Sequence, residues 1–181
     1  MSEKTLNAAN KYAWAALLCG LAFSAWAEEK TIRILAPWEA EGKMYQIGTE
    51  EVQFLGELEG IMYVDSGEGS FDTALFVCPV VHRLDTSTDK TSVTGHCQIV
   101  AAEGNVFGRF SCAGKPGTCS GLFEITSGTD DFEGITGSGE IQLRTALSSM
   151  IRGQASGSVV AEAAGLAVWP SLSVSFPGKE P

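Results

Sequence analysis

Residues 127–142, SGTDDFEGITGSGEIQ, place four glycines among apolar residues that recur at strand-like intervals. The glycines are Gly128, Gly134, Gly137 and Gly139, and the apolar residues are Phe132, Ile135 and Ile141. Glycine inside a strand marks a bulge, a tight bend or the close approach of another backbone. Because the strands of a closed barrel must coil sharply, this segment favours a barrel over a flat open sheet.

The residues around these glycines separate that geometric interpretation from a phosphate-binding loop. Thr129, Asp130 and Asp131 predict a turn that leads into the strand, because aspartate side chains bond to local backbone groups. A phosphate-cradling loop would be followed by a lysine and the start of a helix, and this segment has neither. We therefore expect a turn followed by a coiled strand.

The rest of the chain also has the pattern of strands. Beyond residue 27 we find no convincing window with the i, i+3, i+4, i+7 spacing of an amphipathic helix. Extended segments separated by Gly, Asp, Ser and Thr predict about eight strands once neighbouring segments merge. The segments are residues 30–36, 43–54, 56–65, 72–84, 92–102, 105–113, 118–127, 133–147, 153–163 and 166–176. Such an all-β chain predicts a sandwich or a closed barrel.

Two segments indicate which side chains share a strand face. In residues 71–85 one face carries Phe76, Cys78, Val80, His82 and Leu84, and the other carries Leu75, Val77, Pro79, Val81 and Arg83. In residues 91–101 the polar Thr94, His96 and Gln98 oppose the apolar Val93, Cys97 and Ile99. The first segment is thus expected to be packed on one face and covered on the other by a partner or another segment, whereas the polar and apolar faces of the second separate more cleanly.

The first 27 residues have the features of a cleaved secretory signal. Two lysines precede a short apolar run at residues 12–26, and Ala25-Trp26-Ala27 gives the small-x-small pattern before a charged segment. No later run is long and apolar enough to cross a membrane. We expect a secreted or periplasmic protein with one barrel domain at residues 28–176 and a disordered tail at residues 177–181.

The charge of the chain limits its partners. The formal net charge is −10, and it becomes −11 without the leader, which contains two lysines and one glutamate. A charge of this sign disfavours binding to phosphate backbones and to anionic lipid headgroups. We therefore expect no nucleic-acid partner and no membrane association after signal cleavage.

Four cysteines remain after the leader: Cys78, Cys97, Cys112 and Cys119. An even number in an exported chain predicts two disulfides, with three connectivities. Cys112 and Cys119 flank the turn sequence AGKPGT, which favours pairing them and pairing Cys78 with Cys97. Loops of these lengths would contribute about 2.5–3.3 kcal/mol each in the chain-entropy model. A zinc site formed by Cys78, His82, His96 and Cys97 is the disfavoured alternative, because exported thiols oxidise.

The glycine segment, with TGHCQIV at residues 94–100 and SGLFEITSG at residues 120–128, resembles the allene oxide cyclase-like barrel superfamily, a relative of the dirigent proteins. Those chains carry G-T-G-x-F-x-G-x-x-G-x-G, and GTDDFEGITGSG at residues 128–139 matches it except at Asp130. The resemblance implies an eight-stranded antiparallel barrel that holds a small apolar molecule, often in a homo-oligomer and without a cofactor. No catalytic motif of the family is present, so the resemblance assigns no active-site residue.

The candidate catalytic residues are those able to move a proton: Glu57, Tyr63, His82 and His96. If Cys78 pairs with Cys97, both histidines lie in one closed hairpin and a shared acid–base site is conceivable; a structural role for each is the alternative. A carboxylate turned into an apolar barrel would have a raised pKa, whereas the same strand face on the outside would simply be solvated.

The candidate ligand-binding residues are Gln98, Phe107, Arg109 and Glu124. Arg109 lies between two phenylalanines and is suited either to anchoring a ligand carboxylate or to pairing with a neighbouring acid. The sequence contains no dinucleotide fingerprint, no Gly-x-Ser-x-Gly and no metal-binding histidine pair. No cofactor and no metal are therefore expected.

These observations lead to three hypotheses of function. The first is a cofactor-independent isomerase, cyclase or lyase acting on a small apolar molecule inside the barrel. The second is a non-catalytic protein that binds such a molecule. The third is an oligomeric structural or interaction protein, in which the strand at residues 74–81 uses its two apolar faces to form an interface.

Overall fold

The computed structural model describes residues 28–151 and 158–176, with side chains at residues 29–146 and 162–176. These residues form a closed eight-stranded antiparallel barrel, which confirms the predicted fold class. The predicted leader at residues 1–27 and the predicted tail at residues 177–181 lie outside the described residues. Within the described ranges, no helix is long and apolar enough to cross a membrane.

Nine strands and a single 3₁₀ turn make up the described chain. The strands are β1 (Glu28–Gln46), β2 (Glu51–Ile61), β3 (Tyr63–Val64), β4 (Leu75–Asp85), β5 (Lys90–Ala101), β6 (Gly104–Lys115), β7 (Thr118–Gly128), β8 (Thr136–Ile151) and β9 (Ser158–Phe176). Sequential strands pair around the ring, and β1 closes it by pairing with both β2 and β9. The short β3 continues β2 along the edge of β1, so eight strands form the wall.

The structure lacks a break that the sequence predicted between residues 36 and 43. Strand β1 runs unbroken through Pro37, which has no N–H to donate. Proline is tolerated where a ladder is interrupted, and the ladder of β1 with β2 and β3 is interrupted here. Opposite this point, the backbone of Met62 bonds instead to Thr73 and Ala74, at 2.8 Å in each case.

The quoted glycine segment forms the predicted turn, but the turn is longer than expected. Asp130–Phe132 is a 3₁₀ turn, and β8 begins only at Thr136. The carboxylate of Asp130 accepts a hydrogen bond from the Thr129 hydroxyl at 2.9 Å. Gly137 lies against β9, and a Cβ there would come within 2.5 Å of the Ser173 carbonyl oxygen. The close approach of two backbones therefore requires glycine at this position, as predicted.

Inside the barrel, aromatic rings lie over glycines on neighbouring strands. Three such pairs are directly opposite in register: Gly60 with Phe76, Gly95 with Phe110, and Gly165 with Trp38. In each pair a Cβ on the glycine would come within 2.5–2.8 Å of a ring carbon. Because glycine leaves room above the backbone, large rings fill the interior without clashing.

The rings close one end of the barrel. Phe71, from the loop before β4, stacks on Phe132 with ring centroids 5.8 Å apart, and Phe176 packs against both. Phe71 and Phe132 are each only 2% exposed. We call these three phenylalanines the aromatic floor. Above the floor, Phe123 meets Trp169 edge-on at 5.7 Å, which continues the packed layer into the middle of the barrel.

Both predicted disulfides are present, Cys78–Cys97 and Cys112–Cys119. The first joins β4 to β5 and the second joins β6 to β7, and all four cysteines are buried. Cys78 and Cys97 are therefore not available as zinc ligands. The two bonds are compatible with an oxidising compartment.

Replacing Gly95 with alanine tests the packing of glycine under aromatic rings. The new Cβ would lie 2.5 Å from Cε1 of Phe110 and 2.9 Å from Cγ1 of Val80. We expect Gly95→Ala to lower the free energy of unfolding by about 1–3 kcal/mol, as overpacking of a core does. Urea denaturation of the variant and the wild type measures the difference.

Gly48→Ala is the matched control, because the nearest atom to its new Cβ would be the Cβ of the exposed Glu51, at 3.3 Å. We expect a change within about 0.5 kcal/mol there. A Gly95→Ala variant as stable as the wild type would contradict the proposed packing.

Candidate functional site

A cavity of about 370 Å³ lies inside the barrel, at the end opposite the aromatic floor. It opens beside the β6–β7 turn, where Pro116, Gly117 and Thr118 form part of the rim. Its wall is mainly apolar, and the larger contributors are Trp38, Phe54, Leu58, Val80, Val93 and Leu143. Cavities of this size and character at the mouths of barrels are common ligand sites.

His82 is the titratable side chain that β4 turns toward this cavity. It lies on the same face of β4 as Cys78 and Val80, as the sequence predicted, and the structure turns that face inward. Its Nε2 is hydrogen-bonded to the hydroxyl of Thr91 on β5. The Thr91 hydroxyl in turn donates to the backbone carbonyl of Arg83 at 3.2 Å. We assign the hydroxyl hydrogen to this second bond, and with that assignment the Thr91 oxygen accepts from the Nε2–H of His82.

The protonation state of His82 follows from its surroundings. Desolvation by burial lowers the pKa of His82 below its ordinary value of 6.5. The neutral ring has one N–H, and the hydrogen bond to Thr91 assigns it to Nε2. Nδ1 therefore retains a lone pair, and no described protein group bonds to it. The cavity wall thus includes a neutral imidazole that Thr91 holds in one orientation.

Glu162 borders the mouth of the cavity, but its side chain belongs to the outer wall. It stands opposite Glu41 in the β1–β9 ladder, whereas the next residue, Ala163, stands opposite the buried Ala40. Because side chains alternate along a strand, Ala163 faces inward and Glu162 faces outward. The cavity is therefore not supplied with a carboxylate from β9.

A short turn between β4 and β5 follows the part of β4 that carries His82. The Asp85 carboxylate accepts hydrogen bonds from the Ser87 hydroxyl at 2.6 Å and from the backbone N–H groups of Ser87 and Thr88 at 2.9 and 3.1 Å. These bonds, first to Ser87 and then to Thr88, lower the pKa of Asp85 to about 2. The turn next to His82 is therefore fixed by an ionised side chain at neutral pH.

The structure places the two histidines on opposite faces of the barrel wall. His82 faces the cavity, whereas His96 is exposed and pairs in register with Arg109 on the outside. Although both histidines lie in the hairpin closed by the Cys78–Cys97 disulfide, they do not form a shared acid–base site. Successive side chains of a strand point to opposite faces. Because Cys97 points inward, the adjacent His96 points outward.

The candidate ligand-binding residues also lie on the outer wall. Gln98 and Phe107 are cross-strand partners there. Arg109 and Glu124 form an ion pair with Nε and Oε2 2.7 Å apart, and the Arg109 side chain is 61% exposed. This pair borders a shallow groove on the outside, not the cavity. Of the two roles predicted for Arg109, the structure favours pairing with a neighbouring acid.

Glu57 lies in an acidic ladder on the outer wall. It stands opposite Glu41, and Glu59 stands opposite Glu39. Glu162 lies on the other side of Glu41, so carboxylates face each other across three strands. Like charges in directly opposed positions destabilise a sheet. The location of Glu57 matches the solvated alternative considered from the sequence.

Tyr63 belongs to an exposed apolar row. Cross-strand pairs join Leu35 to Tyr63, Ile61 to Leu75, and Leu75 to Val100. Tyr63 is 45% exposed and Leu75 is 44% exposed. This row confirms that the strand at residues 74–81 is apolar on both faces. Oligomer formation through it stays a prediction.

Of the candidate catalytic and ligand-binding residues, His82 alone lines the cavity, and Thr91, which orients it, was not among them. Thr91 is 6% exposed and continues the inward row of β5 that includes Val93 and Cys97. Extending that alternation by one step would have predicted an inward threonine. The contact with His82 itself depends on the β4–β5 register, which the alternation does not specify.

No protein-family model matches this chain, and no curated protein shows significant similarity to it. The resemblance to the allene oxide cyclase-like superfamily accordingly stays a prediction. The described residues define an all-β barrel with two internal disulfides, which is closed by aromatic rings at one end and contains an apolar cavity at the other.

The lowered pKa of His82 predicts a dependence of stability on pH. As the pH falls below 6.5, the unfolded chain binds a proton at this histidine more readily than the folded chain does. The stability contributed by the neutral buried ring is therefore full above that pH and decreases as the pH falls toward the folded-state pKa. We expect His82→Gln to flatten the pH dependence of the free energy of unfolding in this window.

Denaturant titrations at several pH values measure this effect, and His96→Gln is the control because its side chain lies on the outer surface. Equal slopes for the wild type and His82→Gln would rule out the desolvation of His82.

Proposed function

We propose that this protein is exported and binds a small, largely apolar molecule, without a cofactor, in the cavity at the open end of its barrel. The observation that carries the proposal is a barrel packed at one end and hollow at the other. The aromatic floor shows that side chains can fill the interior of this barrel. The cavity at the other end is therefore not a requirement of the fold. Its apolar wall matches the ligand class that the resemblance of residues 128–139 implies.

The composition of the cavity favours binding over chemistry. Its one inward titratable group among the described lining residues is His82, whose Nε2–H is bonded to Thr91. Apolar walls with a few placed polar groups orient a ligand and exclude water. A cavity of about 370 Å³ equals roughly a dozen water volumes of about 30 Å³ each. A ligand with one or two fused rings, or a short branched chain, suits this space.

Fluorescence titration with N-phenyl-1-naphthylamine, a neutral dye that brightens in apolar surroundings, tests the proposal. We expect saturable binding at one site per chain. Ala163→Phe should weaken it about tenfold or more, because the new ring would project into the cavity. Ala164→Phe is the matched control, since this neighbouring alanine stands opposite Glu39 on the outer face. Circular dichroism confirms that both variants are folded.

Two results would contradict small-molecule binding in the cavity. One is the absence of saturable binding by the wild type up to the solubility limit of the dye. The other is equal weakening by Ala163→Phe and Ala164→Phe, which would place the dye on the outer wall.

A second candidate function is cofactor-independent isomerisation, and the vacant Nδ1 of His82 favours it. A neutral imidazole next to an apolar ligand would remove a proton from a carbon between a carbonyl and a double bond and return it at the far end of the conjugated system. The Thr91 hydroxyl would hold the ring while the charge develops.

Incubation with 3-cyclohexen-1-one in D₂O, followed by NMR, tests this candidate. We expect conversion to the conjugated 2-cyclohexen-1-one, with deuterium incorporation, for the wild type and background rates for His82→Phe. Equal rates for the two proteins would exclude His82 as the base and leave non-catalytic binding as the function.

A further inference from the structure

The chemistry of the cavity wall restricts the charge of a ligand. Among its described lining residues there is no lysine and no arginine, and the one acid, Glu162, faces outward. An ionised group brought into an apolar cavity without an opposite charge is strongly disfavoured. The net charge of −10 further opposes the approach of anions. The ligand that fits this wall is therefore uncharged.

The single inward histidine restricts the ligand further. With the Thr91 hydroxyl hydrogen assigned to the Arg83 carbonyl, the Thr91 oxygen accepts from Nε2–H of His82, and Nδ1 is the acceptor of the ring. Burial keeps the ring neutral by lowering its pKa. An acceptor in an apolar wall is satisfied by a hydroxyl or an N–H, and it is left unsatisfied by a hydrocarbon or an ether.

We propose that the cavity selects a neutral, compact aromatic or alicyclic molecule that carries one hydroxyl or N–H group, and that this group donates a hydrogen bond to Nδ1 of His82. This assignment rests on the small-molecule binding proposed above and specifies the ligand class. Thr91 acts as a positioning residue, because it fixes the tautomer and the orientation of the ring. A carboxylic acid of the same size is excluded by the missing cation.

Three probes with one skeleton separate these effects: naphthalene, 2-naphthol and 2-naphthoate. Equilibrium dialysis near pH 7.5 gives the dissociation constant of each. We expect 2-naphthol to bind about 2–10-fold more tightly than naphthalene, the range expected for one net hydrogen bond. We expect 2-naphthoate to bind at least about tenfold more weakly than 2-naphthol, because its carboxylate has no counter-charge.

Two variants assign the preference to His82. His82→Phe keeps a ring of similar size and should abolish the difference between 2-naphthol and naphthalene while naphthalene still binds. Thr91→Val keeps the volume of residue 91 and removes the hydroxyl, and it should reduce the same difference by freeing the ring. Because Thr91→Val leaves the histidine in place, it tests the proposal even if His82→Phe fails to fold.

The outcomes distinguish this inference from the function on which it rests. Saturable, Ala163-dependent binding of N-phenyl-1-naphthylamine together with equal affinities for naphthalene and 2-naphthol would overturn the donor assignment alone. Tightest binding of 2-naphthoate would overturn the charge assignment alone. A naphthol preference that survives in both variants would show that another group accepts the hydrogen bond. Failure of the dye to bind would remove the proposed function first.

Discussion

The packing of aromatic rings over glycines is the constraint on which this barrel depends. Rings from Trp38, Phe76 and Phe110 occupy the space that a Cβ would take on the opposite strand. The wall can therefore coil tightly while its interior reaches the density of an ordinary core. Disulfides add covalent links between neighbouring strands of the same wall. Close apolar packing, more than hydrogen bonding, stabilises this interior. The buried indole N–H groups of Trp38 and Trp169, for example, have no described acceptor.

The same packing explains why the barrel has two different ends. Phe71, Phe132 and Phe176 reach the floor from loops and a strand end, and they pack against one another. At the other end, the described residues leave a cavity lined by Trp38, Phe54 and Val80 among others. Burial by the protein around this cavity lowers the pKa of His82 and keeps the ring neutral. The positions of the aromatic residues in the sequence thus decide which end of the barrel is packed and which end contains the cavity. The burial of His82 beside that cavity in turn decides its protonation state.

The outer wall has a different physical character in different sectors. Opposed glutamates occupy the sector where β1 meets β2 and β9, an exposed apolar row runs from β1 to β5, and an ion pair joins β6 to β7. Most of the candidate catalytic and ligand-binding residues, including Glu57, His96 and Arg109, lie on this outer wall. Most of them lie there because their charged and polar groups are hydrated, as charged groups in proteins generally are.

The sequence by itself indicated the all-β architecture, the spacing of the strands between residues 72 and 147, the strand face that His82 shares with Cys78 and Val80, and a favoured pairing of the four cysteines. These features depend on local rules, namely the period of two, turn chemistry and an even number of thiols. Tertiary structure decided the rest. Whether a strand face points into the barrel or toward solvent depends on how the ring closes, so Glu57, His96 and Arg109 remained ambiguous until the register was known. The His82–Thr91 contact and the cavity arise from side chains on different strands, and no local pattern encodes a distance across the barrel.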